Sequence, residues 1–201
     1  MLQNTIVRPF EMKNLPLAVD VVVPLWSPPV GDDEFKRFDV EYIIRSNIAE
    51  NDYQFELIDE SQNADEFLAA AFLSRKGDVN KAKEWFDNES KRFPAELLAA
   101  CALSRDYICI MDERTLSLMN DDDIKLSFFA SRKPGAGGEL FNRICDKLHA
   151  EGWKKLYLWT DCDCNWNWYN KHGFTLVEEN VYEPFSSETE DYKTFIFSKT
   201  L

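Results

Sequence analysis

The run Arg132-Lys133-Pro134-Gly135-Ala136-Gly137-Gly138 has the residue types and spacing best suited to chemistry. A strand pattern, Ile124-Lys125-Leu126-Ser127-Phe128-Phe129, precedes it, and apolar residues at helical spacing, Leu140, Ile144 and Leu148, follow it. A glycine-rich turn between a strand and a helix points bare backbone N–H groups outward, and the helix dipole adds partial positive charge. Glycine reaches positive φ without strain and lets a ligand approach the backbone closely. The chemistry implied is anion binding, usually of phosphate. A dinucleotide fingerprint would need a third glycine where Leu140 stands, and a P-loop would need Lys-Ser/Thr where Gly138-Glu139 stands. A purely structural turn is the other alternative, although three glycines exceed what a turn requires.

Tyr169, in Tyr169-Asn170-Lys171-His172-Gly173-Phe174, is a phenol that can give a proton to a leaving group within hydrogen-bond reach. Its bland reading is a ring packed at the start of a helix. Asp161-Cys162-Asp163-Cys164, with His172 nearby, invites a metal, but the second ligand pair of a tetrahedral site is missing, so buried or loop thiols and no metal are expected. A covalent role for Cys162 or Cys164 would need an activating base. Trp159, Trp166, Trp168 and Tyr169 read mainly as core, with some of them lining a pocket, and His149 as surface or packing.

The elements that must position these groups follow from periodicity. Thr5–Phe10 reads as a first strand, with Pro9 marking an edge or an end, and Glu11–Trp26 as a helix broken by Pro24 and Trp26-Ser27-Pro28-Pro29. A second helix is predicted over residues 32–48, then strands over 53–59 and 67–72 joined by turn residues 61–65. Residues 77–119 read as helical, with 106–111 either a short strand or a further turn of helix. A helix over 138–151 with Gly152 at C′, a strand over 155–160, a short helix over 167–171 and strands near 174–182 and 194–198 complete the chain. This order predicts a mixed α/β sheet with helices on both sides.

With 201 residues, 45% of them hydrophobic, and no visible repeat or linker, one domain with a sizeable insertion is expected. The net charge of −13 argues against nucleic acid as a partner and is compatible with a cationic substrate such as an amine. No run of eighteen apolar residues exists, so no membrane span is expected. Five cysteines without a scaffold pattern, and an N-terminus without a secretory layout, lead to an expectation of free thiols in the cytoplasm.

Arg132-x-x-Gly135-x-Gly137, then a helix and strand, then Tyr169-x-x-x-Gly173-Phe174 resembles the GNAT family of acyl-CoA-dependent N-acetyltransferases. The likeness is close from Asp123 to the C-terminus and looser over the first 75 residues, while 77–122 reads as a helical insertion that shapes the pocket or a dimer face. It implies a single GNAT-like acyltransferase domain over 1–201, with a mixed, largely antiparallel central sheet flanked by helices. It also implies acetyl-CoA as cofactor, an amine substrate, a homodimer as one permitted assembly, and direct attack of the amine on the thioester. Carried onto this chain, the backbone of Phe128, Phe129 and Ala130 would pair with the pantetheine arm and help stabilise the oxyanion. The amides of Gly135, Ala136, Gly137 and Gly138, with Arg132 beside them, would hold the pyrophosphate. Tyr169 would be the general acid. Cys162 stands where the family often has an asparagine, and Asn165 is taken as the cofactor contact. The general base is left unassigned among carboxylates that include Glu41, Glu56 and Asp59. The alternative function is a non-catalytic acyl-CoA-binding or sensor protein on the same fold.

Overall fold

The computed structural model describes residues 4–61 and 66–201, so the turn expected over 61–65 lies outside it except for Ser61. Seven strands form one sheet: β1 (Thr5–Pro9), β2 (Gln54–Asp59), β3 (Glu66–Ser74), β4 (Ile124–Ser131), β5 (Lys155–Asp161), β6 (Thr175–Val181) and β7 (Lys193–Thr200). Their spatial order is β1-β2-β3-β4-β5-β7-β6. Every neighbouring pair is antiparallel except β4 with β5. Pro9 ends the edge strand β1, where a missing N–H interrupts no central ladder. The alanines of β3 are fully buried because helices cover both faces of this central strand, and small side chains let them approach.

The helices are α1 (Leu15–Trp26), α2 (Asp33–Ser46), α3 (Ala82–Glu89), α4 (Ala95–Leu118), α5 (Ala136–Ala150) and α6 (Asn167–Lys171). Pro24 does not break α1 as the sequence led one to expect. It sits in the last turn, where its ring removes one donor, and the helix ends at Ser27, whose N–H and hydroxyl both donate to the Val23 carbonyl. Asp32 caps α2, accepting the Phe35 N–H at 2.9 Å. Residues 106–111 are helix, inside α4. Gly152 at φ +87° follows the end of α5, as its C′ position demands.

Strand alternation sorts the core into two faces. Leu156 and Leu158 of β5 join Leu140, Phe141, Ile144 and Leu148 of α5 on one side. Tyr157 and Trp159 point the other way, toward Tyr107 and Met111 of α4. On that second side α1 and α2 cover Phe72, Phe128 and Ala130. The insertion therefore packs on the sheet through α4, and on α2 through Phe35, Phe38, Trp85, Phe93 and Cys101.

One ionisable group conflicts with this packing. Asp39 of α2 is fully buried and neither carboxylate oxygen has a hydrogen-bond partner. Burial pushes its pKa up, and the nearby Cys101 thiol offsets this only in part. A raised carboxyl contributes full stability below its unfolded-state pKa, and that contribution is lost as pH rises through its folded value. Asp39→Asn should therefore stabilise the protein at pH 7.5 by on the order of 1 kcal/mol, about 2–4 °C in Tm. The gain should shrink as pH falls toward the ordinary carboxylate range. Thermal melts across pH check this, and a pH-independent difference would refute it.

Candidate functional site

The geometry of the site begins where β4 and β5 part. They pair in parallel only at Ile124↔Leu156 and Lys125↔Tyr157, and the register stops there. On its other edge β4 stays paired with β3 as far as Ser131↔Ala69, and the Arg132 N–H donates to the Leu68 carbonyl at 2.8 Å. The pairing register skips Ser127, a one-residue bulge that increases twist and bends the strand. From Leu126 onward the β5-facing backbone edge of β4, including that of Phe128, Phe129 and Ala130, pairs with no strand among the described residues. Such an edge accepts an extended, amide-bearing chain through main-chain hydrogen bonds.

The glycine turn lies at the C-terminal end of β4. The helix begins at Ala136 rather than at Gly138, with Gly135 as its N-cap at φ +87° and no side chain capping it. A Cβ on Gly137 would lie 3.2 Å from Phe129 Cζ and 3.3 Å from Ser131 Oγ, so this glycine lets α5 sit close on β4. A Cβ on Gly138 would meet nothing within 4 Å, leaving open space beside the helix N-terminus. Of the four amides expected to face a ligand, that of Ala136 is otherwise engaged, donating to the Lys133 carbonyl at 3.2 Å. The amides of Gly135, Gly137 and Gly138 make no such turn bond. The last two belong to the first helical turn, whose N–H groups lack intrahelical acceptors.

Charges around the turn favour an anion. Arg132 is exposed and makes no ion pair among the described residues, while Lys133 pairs with Glu66 at 2.7 Å. Glu139, in the first turn of α5, accepts from Thr5 and Arg143.

The parallel course of β4 and β5 brings the C-terminal end of β5 to the same edge of the sheet. Tyr169 of α6 packs there against Phe174 and Phe197, with ring centroids 5.4 and 5.9 Å away. Burial raises the pKa of its phenol well above the ordinary value, and the Cys164 and Asp161 charges add to the shift. Such a phenol keeps its proton at neutral pH, the state a proton donor needs, although the same burial makes it a weaker acid.

Asn165 is exposed just before α6, and its carbonyl accepts the Trp168 N–H at 3.0 Å. Cys162 is exposed and Cys164 half-buried. Burial pushes the Cys164 thiol up to about 12, Asp161 adds to this, and Thr160 and Trp26 counter it only in part. His149 is at the surface.

The carboxylates named from sequence as base candidates are engaged elsewhere. Glu56 is fully buried and accepts from Arg8 at 2.7 Å and Asn14 at 2.8 Å. Glu41 pairs with Arg45 along α2, and Asp59 accepts the Ser61 amide at the end of β2. The carboxylate that does reach the end of β5 is Asp161, which accepts the Tyr107 hydroxyl at 3.0 Å. Sequence reading weighed it only as part of a metal motif, just after a strand read as ending at Thr160, which the structure extends to Asp161.

No family model matches this chain, and no curated protein matches it by sequence. Solved structures do. The ribosomal-protein-S18-alanine N-acetyltransferase from Escherichia coli superposes with a TM-score of 0.56 at 15% identity, covering 98% of this chain and 93% of that one. The NatC complex bound to Gag peptide and CoA gives 0.52 at 11% identity, with 99% of each chain covered. The C-terminal condensation domain of Ebony in complex with beta-alanyl-dopamine gives 0.60 at 9% identity over the whole of both chains. The parted parallel strands, the glycine turn between strand and helix and the seven-stranded mixed sheet together give this chain the GNAT-type N-acetyltransferase fold.

Proposed function

We propose that this protein is an acetyl-CoA-dependent N-acetyltransferase acting by direct attack on a primary amine of a small molecule or peptide. The observation that carries the reading is the juxtaposition of an uncapped helix N-terminus, three available glycine-turn amides and a strand edge left without a neighbour after Lys125. A diphosphate matches the first two and an amide-bearing arm matches the third. The residues fit the cofactor: Gly138 faces open space, and Gly135 adopts a φ that side chains disfavour. Gly135, Gly137, Gly138 and Arg132 would hold the pyrophosphate, and the edge of Phe128, Phe129 and Ala130 the pantetheine. Acetyl-CoA supplies the activated acetyl group when bound. Tyr169 holds the proton that a departing thiolate requires. We leave exposed Asn165 and the engaged amide of Ala136 out of the proposed cofactor set.

The alternative of a non-catalytic acyl-CoA-binding or sensor protein is favoured by one observation: Tyr169 is packed among aromatic rings and makes no hydrogen bond through its hydroxyl among the described residues. Thiol release measured against a panel of amines separates the two. CoA binding with no release would favour the sensor, and no CoA binding at millimolar concentration would remove both.

Two variants sharpen the reading. Gly138→Asp places a carboxylate in the open space of the turn, where it also suits a helix N-terminus. The apo protein should melt at or slightly above the wild-type temperature, while CoA affinity measured by calorimetry should fall at least about tenfold. Unchanged affinity would take the turn out of the cofactor site. Tyr169→Phe should lower kcat by at least about tenfold with acetyl-CoA affinity intact. Undiminished turnover would remove Tyr169 from the chemistry.

A further inference from the structure

Asp161 is 8% exposed, and only one of its carboxylate oxygens is satisfied. Oδ2 accepts the Tyr107 hydroxyl, while Oδ1 is sealed from solvent and accepts no hydrogen bond among the described residues. A buried carboxylate oxygen without a donor is costly and calls for an explanation in a water, an ion or a ligand.

The surroundings indicate what that is. Tyr107 comes from the insertion helix α4 and packs its ring against Trp159 at 5.4 Å, Tyr182 at 4.7 Å and Phe185 at 5.0 Å. Tyr192 lies 6.1 Å from Tyr107, and its phenol is pushed well up, first by burial, then by the Asp161 charge and by its approach to the Asp161 carboxylate, which the Cys164 thiol also nears. Trp26, at the end of α1, lies beside Cys164 and packs edge-on against Phe128 on β4, 5.9 Å away. Carboxylate, phenol and indole groups are thus gathered around the C-terminal end of β5. A carboxylate backed by aromatic rings is complementary to an organic ammonium, through charge on one side and ring quadrupoles on the other.

We propose that Asp161 is an ammonium-binding carboxylate, its free Oδ1 receiving the cationic head of a primary amine borne on an apolar or aromatic body. Tyr107 fixes the carboxylate through Oδ2, and Trp26, Trp159 and Tyr192 supply the aromatic surroundings. The insertion thereby becomes part of the acceptor site, because it delivers Tyr107. What becomes of the bound amine rests on the transferase reading; the binding itself does not.

The test is direct binding of phenethylammonium to the full chain by calorimetry at pH 7 without CoA, with phenethyl alcohol as the uncharged counterpart. The ammonium should bind at least about tenfold more tightly than the alcohol, and Asp161→Asn should abolish that preference. Should Asp161→Asn not fold, Tyr107→Phe, which removes only the hydroxyl that holds Oδ2, should weaken ammonium binding roughly threefold or more and leave alcohol binding unchanged. In turnover, Asp161→Asn should raise the amine KM while the CoA affinity stays at the wild-type value. Equal binding of ammonium and alcohol, ammonium binding undiminished in Asp161→Asn, or no binding by the wild type would each overturn the proposal and assign Oδ1 to a structural water. Loss of ammonium binding in the variant of a protein that ignores CoA would overturn the transferase reading and leave this site standing.

Discussion

Two parallel strands that pair for two residues and then separate are the constraint on which the rest of this molecule depends. A strand in the middle of a sheet normally has both edges satisfied, because an unmade backbone hydrogen bond inside a protein is costly. Here β4 keeps β3 on one edge and gives up β5 on the other, and the bulge at Ser127 bends it at the point of departure. The aromatic side chains beyond the bulge hold the gap open from both faces. Phe128 stacks on Phe72 and meets Trp26, while Phe129 meets Phe141 and Trp168. The glycine turn, α6 and Asp161 all lie at the open end because β4 and β5 run in the same direction.

The insertion over 77–122 is fastened to the root of this gap. Asp112 of α4 accepts from the nearly buried ammonium of Lys125, the last residue of β4 paired with β5, and from the indole of Trp159 on β5 at 2.6 Å. One carboxylate from the insertion therefore holds both strands at their point of divergence. Removing one partner of so buried a pair would strand the other charge, a loss of roughly 3–5 kcal/mol. Arg114 reaches Glu178 of β6, and Tyr107 reaches Asp161. Polar contacts set the position of α4 on the sheet, and the aromatic cluster around Phe38, where the rings of Trp85 and Phe93 lie 5.3 and 4.7 Å away, sets it on α2.

The glycines illustrate how a single motif serves two purposes. Gly137 owes its identity to packing, since a side chain there would press on Phe129 and Ser131. Gly138 has no such neighbour, and Gly135 is required by its positive φ. The anion-binding reading of the turn therefore rests on Gly135 and Gly138, with Gly137 contributing an amide that close packing happens to present.

Periodicity and punctuation in the sequence were enough for the order of elements, because strand alternation, helical spacing and turn residues are local. The first strand, α2 with its Asp32 cap, the glycine turn, Gly152 and the short helix before Gly173 were all legible on that basis, as was the GNAT-like architecture. Pro24 was misread because the cost of a proline depends on where in a helix it falls, which tertiary packing decides. The separation of β4 from β5, the engagement of the Ala136 amide and the partners that Glu41, Glu56 and Asp59 find were not legible. Each is a matter of which distant group a backbone edge or carboxylate meets. Asp161 shows the division most clearly: the chain alone gave an acidic residue near two cysteines, and only the fold brought Tyr107 to it from 54 residues away and left its second oxygen without a partner.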